Sequence, residues 1–292
     1  TGSTGLIGTA LGRRLSDDGH DVVPVVRRAP SDNEIGWSID ERRIEDGAFD
    51  GIDAVVHLAG AGIGDKRWTD AYKHQILESR TVGTSLVAQA IADASTPPAV
   101  LLSGSAIGYY GSSPTTTFDE TSPVGDGFLA EVCEAWESAA APAQGGRTRV
   151  VFLRTGIVLS PDGGALKKQL PLFKLGIGGK MGSGDQWQSW ISIDDEVGAI
   201  VHLLDSEVSG PVNLTAPNPV TNAQFTDTLG DVLKRPTFLP IPKFGPKLLL
   251  GGELAENLLF KGQKVVPTVL QGDGYDFTHT DLEAALRSLL GK

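Results

Sequence analysis

Cysteine, positive charge and long apolar runs are all scarce in this sequence. Cys133 is the only cysteine among 292 residues, which excludes an intrachain disulfide and a metal site built on paired cysteines. No apolar stretch approaches the ~20 residues of a membrane-spanning helix, and no signal peptide is visible. These absences predict a cytoplasmic protein with no membrane partner.

The shortage of positive charge argues against nucleic acid as a partner. The chain has 25 Lys and Arg against 36 Asp and Glu, for a net charge of −11, whereas nucleic-acid-binding proteins carry a basic surface. His202 and His279 have no neighbours at the spacing of metal ligands, so no metal site is predicted. With 40 % hydrophobic and 21 % charged residues, the chain is typical of a globular protein.

Strand-like apolar runs alternate with helical stretches in the first half of the chain. The alternation predicts an α/β fold, a parallel sheet with helices on both faces. Pro24 lies inside the first run and indicates an edge strand or a local irregularity. The strand-like runs are 21–26, 53–59, 99–105 and 149–155, and the predicted helices are 5–18, 69–93 and 126–141.

The second half of the chain differs from the first in its glycine and proline content, which predicts a smaller α/β lobe. Residues 161–190 are rich in glycine, and prolines recur from 217 to 246. A helix over 194–206 and a strand near 211–215 return to the first domain. We therefore expect a nucleotide-binding domain over 1–160 with 191–215, and a lobe formed by 161–190 and 216–292.

The chain begins with a glycine cluster that leads into a helix. Gly2, Gly5 and Gly8 have the spacing G-x-x-G-x-x-G, which is related to the dinucleotide-binding fingerprint. Glycines there permit a tight turn and let the backbone approach a pyrophosphate, which the helix N-terminus attracts. The alternative is a plain glycine-rich turn, but a second strand follows at the right distance. The strand that ordinarily precedes such a cluster is missing before Thr1, so we expect a longer native chain.

Two arginines after the second strand bear on the choice of cofactor. Arg27 and Arg28 follow the glycines by about 20 residues, where NAD-binding proteins usually have Asp or Glu. The guanidinium fork suits a 2′-phosphate, so NADP(H) is preferred over NAD(H). Two solvated surface arginines are the alternative.

Eight segments of the chain together carry a resemblance to a known family. They are TGSTGLIG (1–8), HLAGAGIGDKRW (57–68), SGSAIGYYG (103–111), FLAEVCEAWE (128–137), RTGIVLSPDGGAL (154–166), GSGDQWQSWISIDD (182–195), TNAQF (221–225) and KGQKVVP (261–267). The family that they resemble is the epimerase branch of the extended or atypical short-chain dehydrogenases/reductases with a C-terminal domain of unknown function. The resemblance covers essentially the whole chain and implies a Rossmann-type domain, bound NADP(H) and a cleft closed by the C-terminal lobe. Some bacterial members are fused to another domain, so an additional N-terminal domain is expected.

The resemblance also implies a set of cofactor contacts at the carboxyl ends of the strands, where ligands of open α/β sheets bind. They comprise the pyrophosphate loop, the arginines at the adenosine phosphate, and the ends of three further strands with one helix. The residues are Gly2, Gly5, Leu6, Ile7, Arg27, Arg28, Leu58, Ala59, Gly60, Gln75, Arg80, Ser103, Gly104, Ile157 and Val158.

The catalytic pattern of the superfamily is broken. Its members generally use Tyr-x-x-x-Lys, in which the lysine lowers the pKa of the tyrosine, but the helix over 126–141 contains neither residue type. From their spacing to Trp136 and Glu137, we expect Leu129 and Cys133 at the two positions. Ser105 and Tyr110 are the candidate catalytic residues, to orient or protonate a substrate oxygen, with Tyr109 as a neighbour of equal chemistry. The alternative for Tyr110 is a packed loop aromatic. Cys133 is a third candidate, as a nucleophile or acid, and its alternative is a small buried hydrophobe.

Three residues of the glycine-rich lobe are candidates for the substrate. Gln186, Trp187 and Trp190 combine flat aromatics with a polar group and could stack a sugar or a base; the alternative is core anchoring. The sequence supports an NADP(H)-binding oxidoreductase or epimerase with a small substrate, a nucleotide sugar among the candidates. The second hypothesis is a regulatory or sensor module that binds NADP(H) without turnover.

Overall fold

Thirteen strands and ten helices build the fold in a computed structural model that describes residues 1–292. The strands are β1 Val25–Val26, β2 Ile35–Ser38, β3 Arg43–Ile44, β4 Ala54–His57, β5 Val100–Ala106, β6 Thr117–Phe118, β7 Arg149–Thr155, β8 Ile157–Leu159, β9 Trp187–Gln188, β10 Trp190–Ser192, β11 Gly210–Leu214, β12 Val220–Thr221 and β13 Lys264–Val265. The helices are α1 Leu6–Asp17, α2 Asp70–Asp93, α3 Phe128–Ser138, α4 Gly164–Lys174, α5 Ile193–Asp205, α6 Asn222–Leu233, α7 Phe244–Leu250, α8 Gly252–Ala255, α9 Thr268–Gly272 and α10 Leu282–Leu290.

A parallel sheet of order β11–β7–β5–β4 forms the centre of the first domain. Its strands are apolar on both faces because helices cover both. Leu102 and Leu153 pack towards α1 and α5, and Leu101 packs with Val55 towards α2. The register pairs His57 with Ser103 and Ser105 with Arg154. The polar ends of these strands therefore meet at one edge of the sheet.

The second lobe has a core of its own. Side chains of α4, α6 and α10 pack together around Trp190, which is fully buried. Thr221 and Gln224 form a capping box that fixes the start of α6. The lobe returns to the first domain through the parallel pair of β6 with β13.

The prediction of a Rossmann-type α/β fold is confirmed, with two local corrections. The run 21–26 forms a strand only at Val25–Val26, since Pro24 has no N–H to donate and uses its carbonyl to accept from Ile35. The helix predicted over 126–141 spans only 128–138, because Gly127 has a φ of 98° and a separate 3-10 turn begins at Ala141. The domain boundaries stay a prediction. None of the helices combines the length and the apolarity needed to cross a membrane.

Candidate functional site

The glycine loop lies directly against the end of β4. Gly2 has a φ of 70°, and a Cβ on it would lie 2.8 Å from the carbonyl carbon of Leu58. The hydroxyl of Thr1 accepts from the N–H of Ala59 at 3.2 Å. The first turn of α1 has no acidic residue and no side-chain cap. The loop therefore offers bare backbone N–H groups at a helix N-terminus, which is an arrangement that binds phosphate.

Arg80 joins this region from α2. Its Nη1 atom donates to the carbonyl of Ala61 at 2.9 Å, and a Cβ on Gly60 would lie 3.3 Å from its Cζ atom. The guanidinium also lies 4.8 Å from the centre of the Trp136 ring. Gln75, by contrast, is exposed on α2 and lies on another side of the helix from the buried Arg80. The structure thus brings Gly60 and Arg80 together and leaves Gln75 apart from them.

The two arginines after β1 differ in their surroundings. Arg28 is exposed and donates through Nη1 to Glu34 at 2.7 Å. This hydrogen bond holds the pKa of Glu34 down at about 2. Arg27 is exposed and forms no ion pair. Both side chains are accessible to a phosphate group, but that of Arg28 would have to share its donors with Glu34.

A buried polar network connects the ends of β5, β7 and β11. Glu137 on α3 accepts from Ser105 Oγ at 2.7 Å and from Arg154 Nε at 2.8 Å. Arg154 Nη1 in turn donates to the hydroxyl of Tyr110 at 3.0 Å, and that hydroxyl donates to Asn213 Oδ1 at 2.7 Å. Burial raises the pKa of Tyr110 to about 12. Both hydroxyls proposed for catalysis are therefore engaged within the protein.

Sequence reasoning missed Glu137 and Arg154 as parts of this site. A signal for Arg154 was available, because a charged residue in an apolar strand run needs a buried partner. Tyr109 is held beside the pair, with Arg154 Cζ 3.5 Å from its ring centre. It is half-buried, and its hydroxyl makes no hydrogen bond to the protein, unlike that of Tyr110.

The face of α3 that would hold Tyr-x-x-x-Lys lies against the 3-10 turn Ile107–Tyr110. A Cβ on Gly108 would lie 3.3 Å from Leu129 Cβ and 3.6 Å from Cys133 Sγ. Burial raises the pKa of the Cys133 thiol to about 12, so the thiol stays protonated and packs as a small apolar group.

A cavity of about 330 Å³ opens beside Leu129, between the first domain and the lobe. This volume is at the lower end of the range for small-molecule sites. Its other residues include Gly108, Tyr110, Asn257, Lys261 and Gln263. A larger groove of about 690 Å³ runs beside the first turn of α1, between α5 and residues 160–163. The smaller cavity is the better candidate for a substrate because it lies at the carboxyl end of β5.

The three lobe residues proposed for the substrate have structural contacts. Trp190 is fully buried and donates to the carbonyl of Asn218 at 3.1 Å. Gln186 Nε2 donates to the carbonyls of Met181 and Leu259. Trp187 is partly exposed, donates to the carbonyl of Pro114 and lies under Lys264. Burial favours core anchoring for Trp190, and Trp187 is the member of the three that keeps an accessible ring.

The remaining predicted residues lie at strand ends. Ser103 is fully buried, and its Oγ atom has no hydrogen-bond partner. A Cβ on Gly104 would lie 2.8 Å from the ring of Trp136. Ile157 and Val158 are half-buried in β8, which pairs with β10.

His57 is fully buried, and burial lowers its pKa to about 3, as expected for a core histidine. The structure has no group of three or more His, Cys, Asp and Glu side chains placed to hold a metal ion.

Glu196 is a fully buried carboxyl group beside the end of β7. Its Oε1 atom accepts from Thr155 Oγ1 at 2.9 Å, its Oε2 atom has no partner, and burial raises its pKa to about 8. The folded protein keeps this proton at a pH where the unfolded chain, with a pKa of 4.5, has lost it. Stability should therefore fall between pH 5 and 8 by up to about 1.4 kcal/mol per pH unit.

The Glu196→Gln variant should remove this pH dependence, because the amide resembles the protonated acid. Urea unfolding of both proteins at pH 5 and pH 8 measures the difference. If the free energy of unfolding changed equally between pH 5 and pH 8 in wild type and variant, the assignment to Glu196 would be contradicted.

The sequence matches two known families. Residues 1–215 match the NAD dependent epimerase/dehydratase family, and residues 241–289 match a domain of unknown function, DUF1731. The chain is 43 % identical over 287 residues to an epimerase family protein of Mycobacterium tuberculosis, covering 98 % of this chain and 94 % of the relative.

Two solved structures of similar proteins share the fold. The human epimerase family protein SDR39U1, solved with NADPH, superposes with a TM-score of 0.91 at 38 % identity and covers 99 % of this chain and 97 % of its own. A nucleoside-diphosphate sugar epimerase from Corynebacterium glutamicum has a TM-score of 0.79 at 37 % identity. The match covers 99 % of this chain and 57 % of the Corynebacterium chain.

Proposed function

Because the chain belongs to the NAD dependent epimerase/dehydratase family, we propose that it is an NADP(H)-dependent oxidoreductase or epimerase that acts on a small substrate, a nucleotide sugar among the candidates. The observation that carries the proposal is the contact of the glycine loop with Leu58, beside an uncapped helix N-terminus. The NADPH in the structure of the human relative supports it.

The residues present fit such a cofactor. A Cβ at Gly2 or Gly8 would meet neighbouring backbone, so the loop keeps the close backbone surface that a pyrophosphate needs. The N–H groups of Leu6 and Ile7 would bind phosphate oxygens, and Arg27 with Arg28 would bind the adenosine phosphate. When bound, the nicotinamide supplies or accepts a hydride, and the proton chemistry falls to side chains of this chain.

Tyr109 is adjacent to Tyr110, which lines the cavity while Tyr109 itself does not, and it is our candidate to give or take the proton at a substrate oxygen. Its ring is fixed against Arg154, and its hydroxyl is free of protein partners. Ser105 and Tyr110 remain candidates, and their hydrogen bonds to Glu137 and Asn213 support orientation of the site over proton donation. Leu129 gives the pocket an apolar wall at the position where the superfamily has tyrosine.

Binding and turnover separate this proposal from the sensor hypothesis. Purified protein should bind NADPH, measured by quenching of tryptophan fluorescence. With a member of a panel of nucleotide sugars and carbonyl compounds it should either oxidise NADPH, as an oxidoreductase does, or convert the sugar to its epimer in the presence of NADP⁺ with no net change in the cofactor. With that substrate, Tyr109→Phe should lower kcat by about 10²–10⁴-fold and leave the NADPH affinity unchanged. Tyr110→Phe should retain more of the activity. NADPH binding without turnover across the panel would favour the regulatory or sensor module.

Arg28→Asp should shift the preference from NADPH towards NADH. A charge-assisted hydrogen bond contributes about 1.5–3 kcal/mol, so the ratio of the two affinities should change by about 10–100-fold. Titration of each dinucleotide measures it. Arg147→Asp, at an exposed position outside the site, is the matched control. An unchanged ratio in Arg28→Asp would contradict the role of this arginine.

A further inference from the structure

The C-terminal lobe carries an exposed apolar surface that the fold leaves without a partner. It is formed by residues 172–180, at and after the end of α4, and by residues 234–250, which include α7; we call it the α4–α7 surface. Five of its apolar side chains are between 73 and 78 % exposed. They are Leu175, Phe238, Phe244, Leu248 and Leu249. Single exposed apolar side chains are ordinary, whereas a cluster of them marks an interaction site.

Backbone hydrogen bonds hold the two segments of the surface together. The N–H of Ile241 donates to Lys180 at 2.9 Å, and the N–H of Gly182 donates to Ile241 at 3.0 Å. Arg67 fixes the end of α7, because its Nη2 atom donates to the carbonyl of Leu248 at 2.6 Å. None of the residues of α7 is buried. The apolar side chains therefore protrude from a backbone that is itself anchored.

The same surface is positively charged, in contrast to the rest of the chain. Residues 172–180 and 234–250 contain six of the 25 Lys and Arg residues and none of the 36 Asp and Glu residues. Two of the six, Lys243 and Lys247, pair with Glu256, whereas Lys174, Lys180, Lys234 and Arg235 are exposed and form no ion pair. The acidic neighbours at the border are Asp227, Asp231 and Glu253, and the last of these is paired with Lys73.

We propose that the α4–α7 surface docks the protein on an anionic lipid bilayer. Protruding Phe and Leu side chains can enter the headgroup region while the neighbouring lysines meet anionic headgroups. A second copy joined through the same surface would bring cations against cations, since such a contact pairs a patch with itself. The docking is peripheral. It differs from the expectation of no membrane partner, which rested on the absence of spanning segments and of a signal peptide.

Vesicle flotation tests the proposal on the whole chain. Binding to vesicles of phosphatidylcholine with about 30 % phosphatidylglycerol should exceed binding to pure phosphatidylcholine by about tenfold and should fall at high salt. Leu248→Ser with Leu249→Ser, and separately Lys174→Glu with Lys180→Glu, should each reduce the bound fraction at least about tenfold. Val22→Ser with Val23→Ser is the matched control, because both side chains are exposed outside this surface, and it should bind like wild type.

Three results would overturn the proposal. The first is equal binding to neutral and anionic vesicles, or none to either. The second is a wild-type dimer in sedimentation that Leu248→Ser with Leu249→Ser dissociates, which would assign the surface to a second copy. The third is binding to a poly-glutamate peptide without binding to vesicles, which would assign it to an acidic protein. Circular dichroism melting shows whether each variant is folded, and these exposed positions should leave the melting temperature unchanged.

Discussion

The Arg154→Met variant should lose about 3–5 kcal/mol of unfolding free energy, because it leaves the charge of Glu137 buried without its partner. The side chains of Arg154 and Glu137 are only 4 % and 11 % exposed. Arg154 also donates to Tyr110 and stacks on Tyr109, so its loss removes two further contacts. Urea unfolding at pH 7, followed by circular dichroism, measures the change.

Two further variants show whether the cost comes from the unpaired charge. Arg154→Met combined with Glu137→Met should recover a large part of the lost stability, because a buried ion pair replaced by apolar groups is often nearly neutral. Arg287→Met removes an exposed pair with Glu283 and should cost less than about 1 kcal/mol. A loss in Arg154→Met as small as that in Arg287→Met would contradict the buried pair.

The network joins two strand ends at the candidate site, where α3 lacks Tyr-x-x-x-Lys. Glu137 ties the end of β5, through Ser105, to the end of β7, through Arg154. The superfamily lysine has a positive charge on α3, whereas here α3 contributes the carboxylate and β7 contributes the cation. The positive charge thus reaches the strand ends from the sheet instead of the helix, and it lies against the aromatic ring of Tyr109.

The sheet and the glycine loop could be predicted because each depends on local sequence. Apolar runs of β-branched residues specify buried parallel strands, and glycines at 2, 5 and 8 permit the close backbone packing that the loop shows. The predicted strand over 21–26 was too long for a local reason too, since Pro24 ends the strand pairing that the preceding residues would otherwise continue.

The contacts around the cavity could not be predicted because they join distant parts of the chain. The position of Arg154 in an apolar strand predicts that its charge has a buried partner. The sequence does not identify that partner as Glu137, because the contact depends on the packing of α3 against the sheet. From sequence alone, an aromatic residue in a glycine-rich lobe could equally contact a ligand or pack in the core. The structure distinguishes the two tryptophans, because Trp190 is fully buried and Trp187 is partly exposed. Predicting helix α2 likewise does not show which of its residues faces the strand end, and in the structure Arg80 contacts Gly60 while Gln75 is exposed.

The Gly8→Ala variant should lose NADPH affinity by at least about 100-fold. Its Cβ would meet the carbonyl oxygen of Gly2 and lie 2.9 Å from Ser3 Cα, and backbone atoms cannot rotate away as a side chain can. Helix α1 would have to move off the Gly2–Ser3 turn, which separates the helix N-terminus from the loop. Losing two charge-assisted hydrogen bonds to phosphate, at about 1.5–3 kcal/mol each, accounts for a change of this size.

Gly12→Ala on the same helix is the matched control, because a Cβ there meets nothing within 4 Å. It should bind NADPH like wild type and should gain up to about 1 kcal/mol of stability, since alanine is the better helix former. Fluorescence titration and urea unfolding of both variants measure the two effects. Equal NADPH affinity in Gly8→Ala and Gly12→Ala would show that the cofactor does not depend on the contact between Gly8 and Gly2, and the glycine loop would then lose its role as the phosphate site.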